Sequence, residues 1–384
     1  MRHKIYFQVL SSIIFLVIAD VSYAQKNLYH KFVDKFLSNK EDTVRKNTFF
    51  PFPVGAYSPE TELEYGVAAI YSFYVDKSDR LEHPSTLNFL GTHTTKNQSK
   101  LKLTSDIWSR ENKYHYTTEF RYQDFPYYFY GIGNHTMEAD KDLINEKKWV
   151  IAGSADKKVA KNYYLGLAAG FENYINNELQ PGGIFSAGNY YGKNGGKRAY
   201  IGVEQIYDSR NNISYTTKGF FGKLSFDYTP DLFGGENFTG TYVNFDGRYF
   251  TPITSKITLA FNSIYQHIDA ANVPFYLLPK LGGDNMMRGY YQGRYRDRSL
   301  LAGQSEIRYR FVPRFGVVAF GGLGSVFGEE KFSLDMLKPS YGAGLRYFFD
   351  LNKGLTLRLD YGLGQKLPNE KRQSGVYFSM DEAF

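Results

Sequence analysis

Apolar and polar residues alternate with a period of two along most of the chain beyond Thr61. Leu355, Leu357, Leu359, Tyr361 and Leu363 interleave with Thr356, Arg358, Asp360, Gly362 and Gly364, so one face is greasy and the other small or charged. The same pattern sets Leu224, Phe226 and Tyr228 against Lys223, Ser225 and Asp227. Val243 and Phe245 stand against Asn244, Asp246 and Arg248, and Ile257, Leu259, Phe261 and Tyr265 against Thr258, Asn262 and Gln266. Successive side chains on a strand point to opposite faces, so this pattern puts one face in water and the other in an apolar medium. That medium is either the core of a soluble sandwich or lipid around a water-filled barrel. Sandwich strands average about 5 to 6 residues, whereas the segments here run to about 9 to 13, the length of tilted membrane strands.

Strands are predicted at 61–74, 84–95, 98–110, 113–123, 147–158, 161–174, 198–208, 219–229, 238–250, 255–268, 299–312, 314–327, 340–350, 354–365 and 374–384. A bacterial single-chain barrel has an even number of strands. This predicts one more, placed at Glu178 to Tyr191. The fold class is all-β, a closed antiparallel transmembrane β-barrel of 16 strands.

The segments before the alternation read differently. Arg2 and Lys4 precede an apolar run around Ile13 to Ala19 and a small-residue site at Ser22-Tyr23-Ala24, the layout of a signal peptide over residues 1–24. Residues 25–50 are polar, with Phe32, Val33, Phe36 and Leu37 at helical spacing. This segment is either a short amphipathic helix or a frayed terminal segment. From Phe49 to Gly66, Pro51, Pro53 and Pro59 keep the chain extended. Residues 51–384 form one barrel domain, with no room for a folded periplasmic module.

Composition sharpens this reading. The 34 Tyr, 32 Phe and 37 Gly fit β structure with aromatic girdles and tight turns. A mean hydropathy of −0.43 argues against helical spans but not against strands, where only alternate residues need be apolar. The net charge of +7 is mixed in sign along the chain and gives no support for a nucleic-acid partner. The absence of cysteine removes disulfides, thiolate metal sites and a cysteine nucleophile. The seven His form no metal spacing, and His93, His115, His135 and His267 read as polar strand or loop residues. There is no G-x-S-x-G, and Gly192 to Lys197 lacks the P-loop spacing. The expectation is a non-enzyme with no cofactor and no metal.

One stretch breaks the alternation. Leu281 to Asp297, LGGDNMMRGYYQGRYRD, is too glycine-rich and basic for a strand and lies between two alternating segments. Its centre, Met287-Arg288-Gly289-Tyr290, resembles the R-G-[F/Y] loop motif of the BamA/TamA family of outer-membrane barrels, the bacterial surface antigen superfamily. Tyr207-Asp208-Ser209-Arg210-Asn211-Asn212 followed by Gly219 resembles a hairpin motif of the same family, and Gln304 to Phe311 its E-[IL]-R-[YF] strand. Ser340 to Asp350 and Leu355 to Gly364 look like its late strands, and the terminal aromatic Phe384 resembles the signal by which such barrels are recognised for assembly.

The resemblance implies that the loop folds back into the barrel and that Glu306 is the lumenal partner of Arg288. One departure stands out: Gly322 occupies the position where relatives carry an Asp, leaving Asp360 or Asp284 to compensate. By resemblance the function is insertion or translocation of proteins, or lipids, at the bacterial outer membrane. The implied partners are outer-membrane lipids, the barrel-assembly machinery for the chain's own insertion, a periplasmic partner supplying client chains, and a second copy in a homo-oligomer. The alternative is a passive pore for small solutes.

Overall fold

The computed structural model describes residues 46–58, 62–78, 82–179 and 181–384. The leader read at 1–24 and nearly all of the polar segment at 25–50 lie outside them. The chain folds as one antiparallel meander: β1 (Thr48–Ser58), β2 (Glu62–Phe73), β3 (Ser85–Thr94), β4 (Ser99–Trp108), β5 (Tyr114–Phe129), β6 (Asp142–Ala160), β7 (Tyr163–Glu178), β8 (Gly195–Asp208), β9 (Gly219–Thr229), β10 (Gly240–Pro252) and β11 (Ile257–Asp269). A long loop follows, pinched at its neck by β12 (Lys280–Leu281) pairing with β13 (Tyr295–Arg296). The meander then resumes with β14 (Ser299–Val312), β15 (Phe315–Phe327), β16 (Lys338–Asp350), β17 (Leu355–Leu363) and β18 (Ser374–Met380). Apart from the β12–β13 ribbon, these strands form a single 16-stranded sheet in chain order.

The alternation becomes a wall with two surfaces. On β14 and β17 the outward Ile307, Tyr309, Leu359 and Tyr361 are exposed, while the inward Glu306, Arg308, Arg358 and Asp360 are buried. In a soluble protein this would be inside out. In a barrel it puts the apolar surface in lipid and the charges in the lumen.

The sixteenth strand is not at Glu178 to Tyr191, which is the end of β7 and a loop carrying one helical turn, Ile184–Ala187. It is β1, inside the proline-bearing stretch that reads as merely extended. Pro51 and Pro53 pair with Ala69 and Val67 of β2. Being two apart, they lack their N–H groups on the same edge of the strand, and the ladder to β2 uses the other edge. Proline is tolerated in a sheet on such terms, on an edge strand with the missing donor facing away.

The two edges of the sheet, β1 and β18, meet without a ladder between them among the described residues. They overlap. Phe50 and Ile70 face inward on β1 and β2, yet they pack with Leu355, Leu357 and Met380, which lie on the outward face of β17 and β18. Phe52 likewise meets the outward-facing Phe378, with ring centroids 6.4 Å apart. The last strands are therefore tucked beneath β1 and β2, with apolar side chains along most of the seam and one polar clasp at its end, where Lys353 Nζ donates to Thr48 Oγ1 (2.6 Å) and to the main-chain oxygen of Lys46 (2.7 Å).

The end of the barrel that carries the long loop is roofed by aromatic side chains. Phe129, Phe185, Phe238, Phe275 and Tyr276 form one buried cluster that joins the β5–β6, β7–β8 and β9–β10 connections to the long loop. The opposite end opens into a cavity of about 790 Å³ lined by Asp106, His115, Glu204, Asp208, Arg210 and Phe384, among others.

Candidate functional site

The long loop turns inward, and its Met287-Arg288-Gly289-Tyr290 segment lies against β14–β18. Met287 has a left-handed backbone (φ +57°) and its side chain packs with Leu300, Ala302 and Val326. Gly289 also has positive φ (+109°), and a Cβ there would lie 2.5 Å from the carbonyl carbon of Leu363. Glycine is needed for both reasons: the backbone dihedral and the close approach to the wall. The Gly289 N–H donates to the Tyr377 hydroxyl of β18 (2.8 Å), and the Tyr290 hydroxyl donates to the main-chain oxygen of Pro339 (2.7 Å). Tyr290 is fully buried.

The turn delivers Arg288 into the wall with its side chain wholly buried. One terminal nitrogen donates to Glu306 on β14 and the other to Asp360 on β17, and the guanidinium plane lies 3.6 Å from the centroid of the Phe320 ring on β15. Two further arginines complete the cluster. Arg308 Nε donates to the second oxygen of Glu306 (2.8 Å), and Arg346 on β16 donates to the second oxygen of Asp360. Glu306 is thus shared by two guanidiniums and Asp360 by three, since Arg358 Nη1 also donates to its Oδ2 at 3.4 Å, and charge-assisted hydrogen bonds of this kind are the strong ones. Arg358 extends the network to the loop, donating to Asp284 Oδ2 at 3.1 Å. Gln304 Nε2 donates to the main-chain oxygen of Asn285 at 2.6 Å.

Arg288 and Glu306 are therefore in direct contact. Asp360 stands where a second acidic arm was missing, and Asp284 serves Arg358 instead. Gly322 has no room for a side chain in this arrangement: a Cβ would sit 2.8 Å from the main-chain oxygen of Gly303 and 2.9 Å from Cβ of Gln304. Phe320 and Arg346 belong to the cluster although no motif marks them. Inward parity on their strands is the available signal, but parity does not tell which inward residues of the neighbouring strands β14 to β17 converge on one loop side chain.

The hairpin motif forms a separate site. Arg210 donates to both oxygens of Asp208, from Nε at 3.0 Å and Nη2 at 2.7 Å, and stacks 4.4 Å from the Phe221 ring. Gly219 has φ +122°, and a Cβ there would collide with the main-chain oxygen of Ser209. No hydrogen bond or ion pair joins this hairpin to the Arg288 cluster among the described residues. His115 lies nearby, stacked 4.0 Å from Trp108, with Nδ1 3.0 Å from Asp156 and Nε2 3.3 Å from Asp106. Both ring nitrogens thus face carboxylates, and the imidazole cross-links β4, β5 and β6.

Phe384 is not on the last strand. β18 stops at Met380, Asp381 takes a positive φ of +64°, and the chain turns into the lumen. There Phe384 is buried against Phe250 and Ala260. Its main-chain oxygen accepts from Arg308 at 2.9 Å, and Glu382 accepts from Arg346 at 2.7 Å.

Comparison with known proteins places this geometry. Residues 19–384 match the Omp85 superfamily domain. Among solved structures, BamA from Haemophilus ducreyi, in a form lacking POTRA domains 1–3, superposes with a TM-score of 0.55 at 15% identity, over 88% of this chain and 70% of that one. CdiB from Acinetobacter baumannii gives 0.55 at 13% identity, over 87% and 59%, and CdiB from Escherichia coli 0.55 at 10%, over 87% and 62%. This chain therefore spans only about three-fifths of either CdiB. No curated protein matches it by sequence.

Proposed function

Since the chain belongs to the Omp85 superfamily, whose outer-membrane barrels serve transport and assembly rather than enzymatic reactions, we propose that it inserts or translocates protein chains through its β1–β18 seam. The Arg288 loop holds the wall beside that seam in one state. The barrel sits in a bacterial outer membrane among its lipids, reaches it through the barrel-assembly machinery and receives client chains from a periplasmic partner. Homo-oligomer formation is a further part of this reading.

The observation that carries the reading is the seam itself. A ladder of about ten strand hydrogen bonds, each worth roughly 0.5–1.5 kcal/mol, would resist lateral opening. Here the edges overlap through apolar side chains with a single polar clasp from Lys353 to Thr48 and Lys46 in place of a ladder, and the free edge of β1 lacks two donors at Pro51 and Pro53. The proline-free edge of β18, with its backbone groups unpaired in the sheet, is the one that can template another strand. The aromatic roof over the lumen disfavours the alternative of a passive solute pore, because a conducting path would have to cross Phe129, Phe185 and Phe275.

The test uses purified full-length protein in liposomes with an unfolded outer-membrane barrel as client, following client folding by its heat-dependent gel mobility. Faster folding than in protein-free liposomes is expected, and a disulfide joining Phe52→Cys to Phe378→Cys should abolish the gain. Steady ion conductance that ignores both this disulfide and Arg288→Ala, with no effect on client folding, would establish the pore instead.

A further inference from the structure

The wall cluster has an occupant that the loop does not supply. Arg346 binds Asp360 with one nitrogen and Glu382 with another, and Arg308 divides itself between Glu306 and the main-chain oxygen of Phe384. The contacts close a ring: Arg288, Glu306, Arg308, the segment Asp381–Phe384, Arg346, Asp360 and back to Arg288. The Phe384 side chain fills an apolar niche formed by Phe250 and Ala260, while the Arg308 guanidinium lies 4.9 Å from the Phe384 ring centroid and 5.4 Å from that of Phe250. Glu382 and Phe384 are both nearly inaccessible to solvent.

This is a built site for a short peptide. Two guanidiniums lie about one dipeptide apart along the bound chain, one reading an acidic side chain and the other a main-chain oxygen, and a niche takes the aromatic ring. It lies inside the barrel, so a segment that fills it must leave the plane of the sheet. The positive φ at Asp381 makes that turn directly after β18. We propose that Arg308, Arg346 and Phe250 form a lumenal peptide-holding site whose occupant is Asp381–Phe384, and that this occupancy keeps β18 tucked beneath β1. Because Arg308 and Arg346 also hold the two carboxylates of Arg288, docking of the segment and docking of the loop strengthen one another, and coupling of this kind is reciprocal. The inference needs the seam geometry but no client, so it stands or falls separately from the insertion reading.

The chain has no native cysteine, which makes disulfide trapping clean. In the full-length protein in outer-membrane-like vesicles, Ala260→Cys with Ala383→Cys should form an intramolecular disulfide under mild oxidant, reporting an occupied site. Separately, the Phe52→Cys and Phe378→Cys pair should cross-link in the otherwise unaltered chain. Adding Glu382→Gln and Phe384→Ala, neither of which touches Arg288, should lower that cross-linking rate at least five-fold. In the absence of that substitution pair, Arg288→Ala should lower the yield of the 260–383 disulfide. Either failure of the 260–383 disulfide to form, or an unchanged seam rate in a variant that keeps heat-dependent gel mobility, would overturn the proposal. If the double substitution prevents folding, Glu382→Gln alone provides the same readout with a smaller expected drop.

Discussion

The two walls that flank the seam are built from different materials. On β14 to β18 the lumenal face carries Glu306, Arg308, Arg346, Arg358 and Asp360, all buried and joined through Arg288 into one network. On β1 to β3 the lumenal face is Phe50, Ala68, Ile70, Ser72, Thr92 and Thr94, and the ion pair between Glu64 and Lys100 spans 3.5 Å with both side chains partly exposed. A charge in the first wall cannot move without stripping its partner, whereas the apolar stretch of the second, held at one end where the Lys353 ammonium donates to Thr48 and to the main-chain oxygens of Lys46 and Ser72, has fewer polar contacts to break. The same sheet is thus tied by a charge network on one side of its seam and mostly by apolar contacts on the other.

The largest effect should come from breaking the charged wall. Glu306→Ala strands Arg288 and Arg308 with one bare face each, and removing one member of a buried pair typically costs about 3–5 kcal/mol. Arg288→Ala should cost a similar amount, and the double variant distinctly less than the sum, because the two remove the same contact. Urea unfolding of the reconstituted barrel measures all three, and additive losses would dissolve the network into independent pairs. Next in size is the roof: Phe275→Ala empties a position at the centre of the aromatic cluster, where such truncations cost about 3–5 kcal/mol if the site cannot collapse. The cluster closes the loop end of the lumen over the ends of β5, β6 and β11, so the loss should appear as a rise in single-channel conductance in planar bilayers as well as in unfolding.

The apolar side should respond in the opposite direction. Replacing Pro51 and Pro53 by Ala returns two donors to the free edge of β1, each worth roughly 0.5–1.5 kcal/mol if β18 accepts them. The melting temperature should rise and client folding should slow; no change in either would mean that this edge never meets β18 in plane. The docked segment also carries a pH dependence. Burial, together with the neighbouring Glu382 and against the opposing pull of Arg358, pushes the Asp381 carboxyl up to about 7. Its folded value exceeds its unfolded one, so the docked state holds the proton more tightly. Its stability therefore falls as pH rises from the ordinary carboxylate range to about 7, then levels off. The 260–383 disulfide, with yields corrected for thiol reactivity, should weaken over that window when Asp381 is present and stay flat with Asp381→Asn.

Much of the wall was legible because period two is a local property. β9 and β14 run over the residues that alternation assigns, Gly219–Thr229 and Ser299–Val312, since lipid on one face and water on the other leave a side chain no third choice. β1 escaped because proline argues against a strand unless the strand is known to be an edge, and edge position is a property of the assembled sheet. At the site, Arg288 and Glu306 were marked by motif resemblance and Asp360 remained one of two candidates.

Alternation along the chain by itself determined that this is a β wall with a charged lumen, because each residue's choice between lipid and water is made one position at a time. Only the tertiary structure decided which charges meet, where the ring of Phe384 goes and how the edges pass each other. Those depend on the curvature that brings β14, β16 and β17 around one loop, and that curvature is set by all the strands together.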